Sequence, residues 1–181
     1  MARKTCKVAA TLRRYLENNN IDDMFQSAYR PNHGCETATV KIFNDISLAV
    51  ANKKKVVVLC LLDLSAAFDT LDHTILMQRL SDIGIKDNAL AWFRSYLSGR
   101  VTAVKIGTST SSPTNVKYGV PQGSVLGPAL FNIYCLPLAS IIRKNKVPYH
   151  MYADDTQLYV DCDATVSRTV PYNHWNHAFR R

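Results

Sequence analysis

Apolar residues recur every three or four positions over 8–17, 36–51, 73–83 and 88–97, and crowd into short runs over 56–62 and 149–160. The first spacing is that of helices burying one face, the second that of strands. Val8, Leu12 and Leu16 share one side of the first helix, which the Asn18-Asn19-Asn20 run ends. In the second, Ile42, Phe43, Ile46 and either Ala49 or Val50 point inward. Leu76, Leu80 and Ile83 define the third, with Gly84 placed to cap it, and Leu90, Phe93 and Leu97 the fourth, which starts after Asp87 and stops at Gly99. The run Val56 to Leu62 has no polar residue and predicts a strand buried on both faces, with Cys60 a small core residue. Residues 100–107 alternate, placing Thr102, Val104 and Ile106 on one face of a further strand. Ser109 to Asn115 reads as a polar loop. Gly119-Val120-Pro121-Gln122-Gly123 excludes regular structure and leads into a helix near Ser124 to Leu136. Residues 161–181 lack a period and are expected to be poorly ordered. Helices and strands without strict βαβ alternation predict an α+β fold, antiparallel strands with helices packed on one face.

Composition narrows the class of partner. At 181 residues and 47% hydrophobic, one cored domain is expected. Twenty-two Lys and Arg against 14 Asp and Glu give a net charge of +8, which favours an anionic partner, nucleic acid before an acidic membrane. The bases gather at Arg3 to Arg14, at Lys53-Lys54-Lys55 and at Arg143 to Lys146; the Lys triplet by itself reads as a solvated turn. Five widely spaced cysteines (6, 35, 60, 135, 162) support neither a disulfide framework nor a zinc site, and point to a reducing intracellular compartment. The longest apolar run is too short to cross a bilayer and the basic N-terminus lacks a signal-peptide core, so no membrane role is expected.

Half of the acids lie in two places: Asp63, Asp69 and Asp72, then Asp154, Asp155, Asp161 and Asp163. Asp154-Asp155 interrupts the strand-like stretch Tyr149 to Val160, which predicts a hairpin with the acids at its tip. Asp63 ends the Val56–Leu62 run. Carboxylates at strand ends inside a core-forming region repel one another unless a cation holds them, and a hard divalent ion with substrate phosphates is the common solution. Taken alone, Asp-Asp reads at least as well as a solvated turn.

Five blocks in order change that balance: Gln26-Ser27-Ala28-Tyr29-Arg30-Pro31, Leu62-Asp63 through Phe68-Asp69, Trp92-Phe93-Arg94-Ser95-Tyr96-Leu97-Ser98-Gly99-Arg100, Gly119 through Pro128, and Tyr152-Ala153-Asp154-Asp155. From about Leu16 to Val160 the chain resembles the reverse transcriptase domain of non-LTR (LINE-type) retrotransposons. The resemblance implies a right-hand polymerase palm with part of the fingers over residues 1–160, a divergent tail over 161–181, and RNA-directed DNA synthesis in the nucleus or cytoplasm. The implied partners are an RNA template, a DNA primer and deoxynucleoside triphosphates. Asp63, Asp154 and Asp155 would hold two magnesium ions, with manganese a possible substitute. Phe68 matches the family's steric gate under the incoming sugar, Gln122 and Gly123 the loop against the nascent base pair, and Arg30 a fingers arginine facing the triphosphate. Without the family match, Phe68 reads equally as a core aromatic and Arg30 as a surface residue. His33 and His73 read as surface or capping residues.

Two departures accompany the match. Ala28-Tyr29 stands where the family has Gly-Phe, and residues 161–181 match neither the Lys-bearing motif nor the thumb that normally follow. The expectation is a truncated copy, feeble in catalysis but still able to bind nucleic acid. The competing readings are an inactive relic that only binds nucleic acid and a cyclase-like nucleotidyl enzyme; Phe68 and the 119–128 block argue against the cyclase, which has no template to meet.

Overall fold

The computed structural model describes residues 2–51, 55–121 and 123–163. The described residues fall into two compact units, one drawn from 1–21 with 66–134 and the other from 22–65 with 135–181. Helix α5 (Gly127–Lys144) contributes to both.

The first unit is mainly helical: α1 (Ala2–Asn18), α3 (His73–Asp82), α4 (Asp87–Leu97) and the start of α5. Its core contains Leu12, Leu16, Leu76, Leu80, Phe93, Leu97, Leu126 and Leu130, all buried. The asparagine run ends α1 by a definable device. Asn20 takes a left-handed φ of 51°, which Asn tolerates, and the Ile21 amide reaches back to the Leu16 carbonyl at 3.0 Å. Helix α3 is closed at both ends. Asp72 Oδ1 accepts from the Thr74 and Ile75 amides at 2.7 and 3.1 Å, and these bonds hold the Asp72 carboxyl below the usual range. At the other end Gly84 sits at φ 94° and the Ile85 amide bonds the Leu80 carbonyl at 3.0 Å. A Cβ on Gly84 would meet the Tyr15 hydroxyl at 2.7 Å, the same hydroxyl that donates to the Ile83 carbonyl.

The second unit contains α2 (Cys35–Val50) and an antiparallel sheet of β1 (Lys55–Leu62), β7 (Asp155–Asp163) and β6 (Tyr149–Tyr152), in the order β1-β7-β6. Strand β7 is central, paired from Lys55↔Asp163 to Leu62↔Thr156 on one side and from Tyr149↔Leu158 to Tyr152↔Asp155 on the other. Tyr149, Met151, Leu158 and Tyr159 are buried, and the Tyr159 hydroxyl donates to Asp45 of α2. Mixed helix and antiparallel sheet is the class the sequence predicts.

Several expectations need correction. Strand β1 is an edge strand, not one buried on both faces: Leu59 is 44% exposed and Leu61 68%, and Cys60 is half-buried. An unbroken apolar run does not say whether a neighbour covers it. In α2 the inward residues are Ala38, Ile42, Asp45, Ile46 and Ala49, while Phe43 and Val50 lie outside. Alternating residues 100–107 do not form one strand. They split into β2 (Val101–Thr102) and β3 (Lys105–Ile106), paired with β5 (Thr114–Asn115) and β4 (Ser109–Thr110) inside the expected loop. Helix α1 begins earlier than expected, and α5 starts at Gly127 and runs to Lys144. The segment expected to be poorly ordered from 161 onward begins as strand, since β7 continues to Asp163 and Lys55 pairs with Asp161. Residues 164–181, Lys53, Lys54 and Gln122 lie outside the described residues.

Candidate active site

The expected hairpin forms, but its tip is shifted by one residue: Asp154 is in the turn and Asp155 already opens β7. Tyr152 pairs with Asp155, leaving Ala153 and Asp154 as a two-residue turn. On the other side of β7 the pairing ends at Leu62↔Thr156, so Asp63 stands one step beyond it, beside Asp155. Asp63 directly follows the last residue of β1 and Asp155 is the first residue of β7, with Asp154 before it in the turn, so all three lie toward one end of the sheet. Asp63 and Asp155 are exposed and Asp154 is half-buried. The Asp154 charge is felt by its surroundings. Burial first, and Asp154 second, push the Cys135 thiol up to about 11, and the same two causes raise the Tyr29 phenol.

Among the described residues no three His, Cys, Asp or Glu side chains are gathered as a ready metal cage. The donors are nonetheless of the right chemistry for magnesium. They are carboxylate oxygens, two on exposed positions and one half-buried, near a strand end, and magnesium commonly takes one or two carboxylates and completes its shell with water and substrate phosphate.

The turn is held from behind by the segment 23–30. The Gln26 side chain accepts from the Ala153 amide (3.0 Å) and the Ala28 amide (3.0 Å) and donates to the Ala153 carbonyl (3.2 Å). The Met151 amide bonds the Phe25 carbonyl at 2.9 Å, and the Ser27 amide bonds the Met151 carbonyl at 3.0 Å. Buried Asp23 accepts from the Tyr149 hydroxyl at 2.9 Å and pairs with Arg143. Arg30 donates through Nη1 to the carbonyls of Asp23, Met24 and Gln26 at 3.1, 3.4 and 3.2 Å, bracing this loop.

His150 belongs to the same network. Its Nε2 lies 2.9 Å from Ser27 Oγ, while Nδ1 is buried without a partner among the described residues. Burial first, and the Lys41 charge next, depress its pKa against the opposing pull of Asp45, with His33 adding a smaller push the same way. A lowered folded pKa means the unfolded chain binds the proton first. The stability His150 contributes is therefore complete above its ordinary value of about 6.5 and lost as pH falls through the folded value. A thermal melt series from about pH 7.5 to 5 should show Tm dropping, and His150→Gln should flatten that slope. A slope unchanged by the substitution would assign the acid sensitivity elsewhere.

Phe68 and the 119–123 loop belong to the other unit. Phe68 is half-buried and stacks on Phe131 of α5, ring centroids 4.8 Å apart at 28°. Its carbonyl accepts from the Val120 amide at 2.9 Å, and the Gly119 amide donates to Leu71 at 2.8 Å. His73 Nε2 lies 2.7 Å from the Gly119 carbonyl, so His73 ties the loop down rather than standing on the surface alone. A Cβ on Gly119 would meet Asp69 Cα at 2.8 Å, and φ there is 80°. Gly119→Ala should therefore cost about 1–3 kcal/mol of stability, readable by chemical denaturation; a neutral result would mean the loop can move away from the 68–69 backbone. Gly123 also has positive φ, 74°, but nothing crowds it. Sequence reading placed Phe68, Gly123 and the acids, but gave no role to Gln26 or Phe131 individually and none to Gly119. Only the steric crowding at Gly119, invisible in one sequence, marks it out.

One unit thus holds the acidic hairpin and Asp63 just past the end of β1, and the other holds a glycine loop bonded to the Phe68 segment. The family model for reverse transcriptase (RNA-dependent DNA polymerase) matches residues 2–172, and the chain belongs to that family. Its relatives come from retrotransposons. It is 27% identical over 161 residues to the RNA-directed DNA polymerase from mobile element jockey of Drosophila funebris, covering 86% of this chain and 17% of the relative. It is 29% identical to the probable RNA-directed DNA polymerase from transposon X-element of Drosophila melanogaster, over 82% of this chain and 16% of that protein. With the Pol polyprotein of type-1 retrotransposable element R2 of Popillia japonica the figures are 29%, 60% and 20%. The chain thus spans a fifth or less of the length of these relatives. Among the described residues no helix is long and apolar enough to cross a membrane.

Proposed function

We propose that this chain carries the nucleotidyl-transfer centre of an RNA-directed DNA polymerase, adding deoxynucleotides to a primer 3′-hydroxyl on an RNA template. The observation that supports the reading is the register of β1, β7 and β6, which pairs Leu62, the residue before Asp63, with Thr156, the residue after Asp155, and leaves Asp154 in the adjoining turn. In this reading the unit holding these acids is the palm, and Asp63, Asp154 and Asp155 hold two magnesium ions. Divalent ions there would supply charge neutralisation for the attacking and departing oxygens of an in-line displacement. The chain's own residues do the rest. The carboxylates fix where the triphosphate and primer end meet. By the family resemblance Phe68 would be the gate under the incoming sugar; its ring, backed by Phe131, has no acceptor for a 2′-hydroxyl. Gln122 and Gly123 offer backbone and an uncharged amide to the base pair, Gly123 allowing close approach. Arg30 can present its guanidinium to phosphate only with the edge not bound to the 23–26 carbonyls.

The net charge of +8 favours a second reading, a nucleic-acid binder without turnover. Both readings predict template binding that weakens steeply with salt, because phosphate neutralisation releases counterions. A filter-binding series from about 50 to 200 mM salt should show affinity falling at least tenfold; salt-independent binding would remove the electrostatic argument from both. Magnesium-dependent primer extension separates them.

A further inference from the structure

We infer that Gln26 is the positioning residue for Asp154: its amide grips the backbone of Ala153 and thereby sets the direction of the carboxylate that follows. The inference rests on the polymerase reading for its consequence, though not for its geometry.

Ala153 is the first of two residues in the turn between β6 and β7, and its φ is 56°. That left-handed position in a tight hairpin favours glycine, so an alanine there needs an external hold. The ladder itself supplies none, because the last pair is Tyr152↔Asp155. Gln26 supplies it from another part of the chain. Its Oε1 takes the Ala153 amide at 3.0 Å and its Nε2 gives to the Ala153 carbonyl at 3.2 Å, so one side chain satisfies both polar groups of one residue. A second bond from the Ala28 amide to Oε1, at 3.0 Å, fixes the Gln26 amide in turn. The parallel bridge between Gln26 and Met151 locks the backbone of this segment beside β6. Gln26 is buried, 4% exposed, so water does not compete for these bonds.

The amide both donates and accepts without depending on protonation, whereas an ionised carboxylate of the same length only accepts. Glutamate keeps the two acceptor contacts and loses the donor; methionine keeps the shape and loses all three. The carboxylate of Asp154 begins one peptide beyond the gripped residue. Loosening the turn therefore moves the acid without removing it, and displacement of about 1 Å in a reacting geometry costs up to roughly 100-fold.

The test compares wild type, Gln26→Met and Gln26→Glu by hydrogen exchange at the Ala153 amide, thermal melting, and kcat and KM for magnesium-dependent dTTP addition on poly(rA)·oligo(dT). In Gln26→Met the Ala153 amide should exchange faster and kcat should fall about 10–100-fold with KM for dTTP little changed. Gln26→Glu should keep the amide protected and show a smaller kcat loss, and it carries the test if the Met variant does not fold. Folded variants that retain wild-type kcat overturn the positioning role. An unchanged exchange rate at Ala153 in Gln26→Met overturns the grip itself. If wild type adds no nucleotide while Asp154 is intact, the polymerase reading fails, and the exchange comparison alone then decides whether Gln26 holds the turn.

Discussion

Asp154→Asn is expected to lower magnesium-dependent nucleotide addition by at least about 1,000-fold while leaving the fold intact. The loss follows from charge. A neutral amide oxygen holds a divalent cation far more weakly than a carboxylate, and several kcal/mol of transition-state stabilisation depend on that cation, each roughly 1.4 kcal/mol being tenfold in rate. The fold should survive because Asp154 lies in a turn and is half-buried, so its side chain supports no core. Removing the charge that adjoins Asp155 in the chain should even raise the apo melting temperature slightly. The same substitution should lower the pKa of Cys135, since the Asp154 charge is the second cause of its elevation after burial. Thiol reactivity against pH measures that shift without any catalysis. Retention of most of the addition rate in Asp154→Asn would make the metal assignment wrong.

Phe68→Ala should admit ribonucleotides. Removing a ring from beneath the sugar opens room for a 2′-hydroxyl, and steric discrimination of this size is worth about 1–3 kcal/mol, or roughly 10–200-fold in the ratio of deoxy- to ribonucleotide incorporation. The stacking on Phe131 complicates the substitution, because Phe68 is also a packing residue within its unit. Truncating a half-buried aromatic should cost stability as well, about 1–3 kcal/mol. Phe68→Val retains more of the packing and should show an intermediate ratio. The useful comparison is the two nucleotide classes on one enzyme preparation, which cancels any loss of folded protein. A ratio that stays at its wild-type value in both variants would leave Phe68 as a core residue and nothing more.

The contrast between what could and could not be read from the sequence has a physical basis. The hairpin was legible because its signals are local: short runs of aromatic, β-branched and apolar residues on both sides of a two-residue acidic interruption. Helix ends at Asn20, Asp72 and Gly84 were nearly as clear, since each uses a short-range bond to its own backbone. Exposure of β1 was not legible. Whether an apolar run lies at the edge or the centre of a sheet depends on partners elsewhere in the chain; among the described residues β1 has β7 on one side and no strand on the other. Phe43 misled for a related reason, since a three-to-four spacing allows two adjacent faces and only packing chooses between them. The grip of Gln26 on Ala153 joins residues 127 apart, and no spacing rule reaches that far. The acids could therefore be proposed from local sequence and chemistry, while the contacts that hold the turn carrying two of them became visible only in the fold.

Primer extension on poly(rA)·oligo(dT), with enzyme in excess over primer and magnesium titrated from zero, decides whether the acids carry the transfer when wild type, Asp63→Asn and Asp154→Asn are run together. Template-directed dTTP addition should require the metal in wild type and vanish in both variants, with all three proteins binding the template alike. Addition that persists in Asp63→Asn, or a wild type that binds template and adds nothing at any magnesium concentration, would contradict that role.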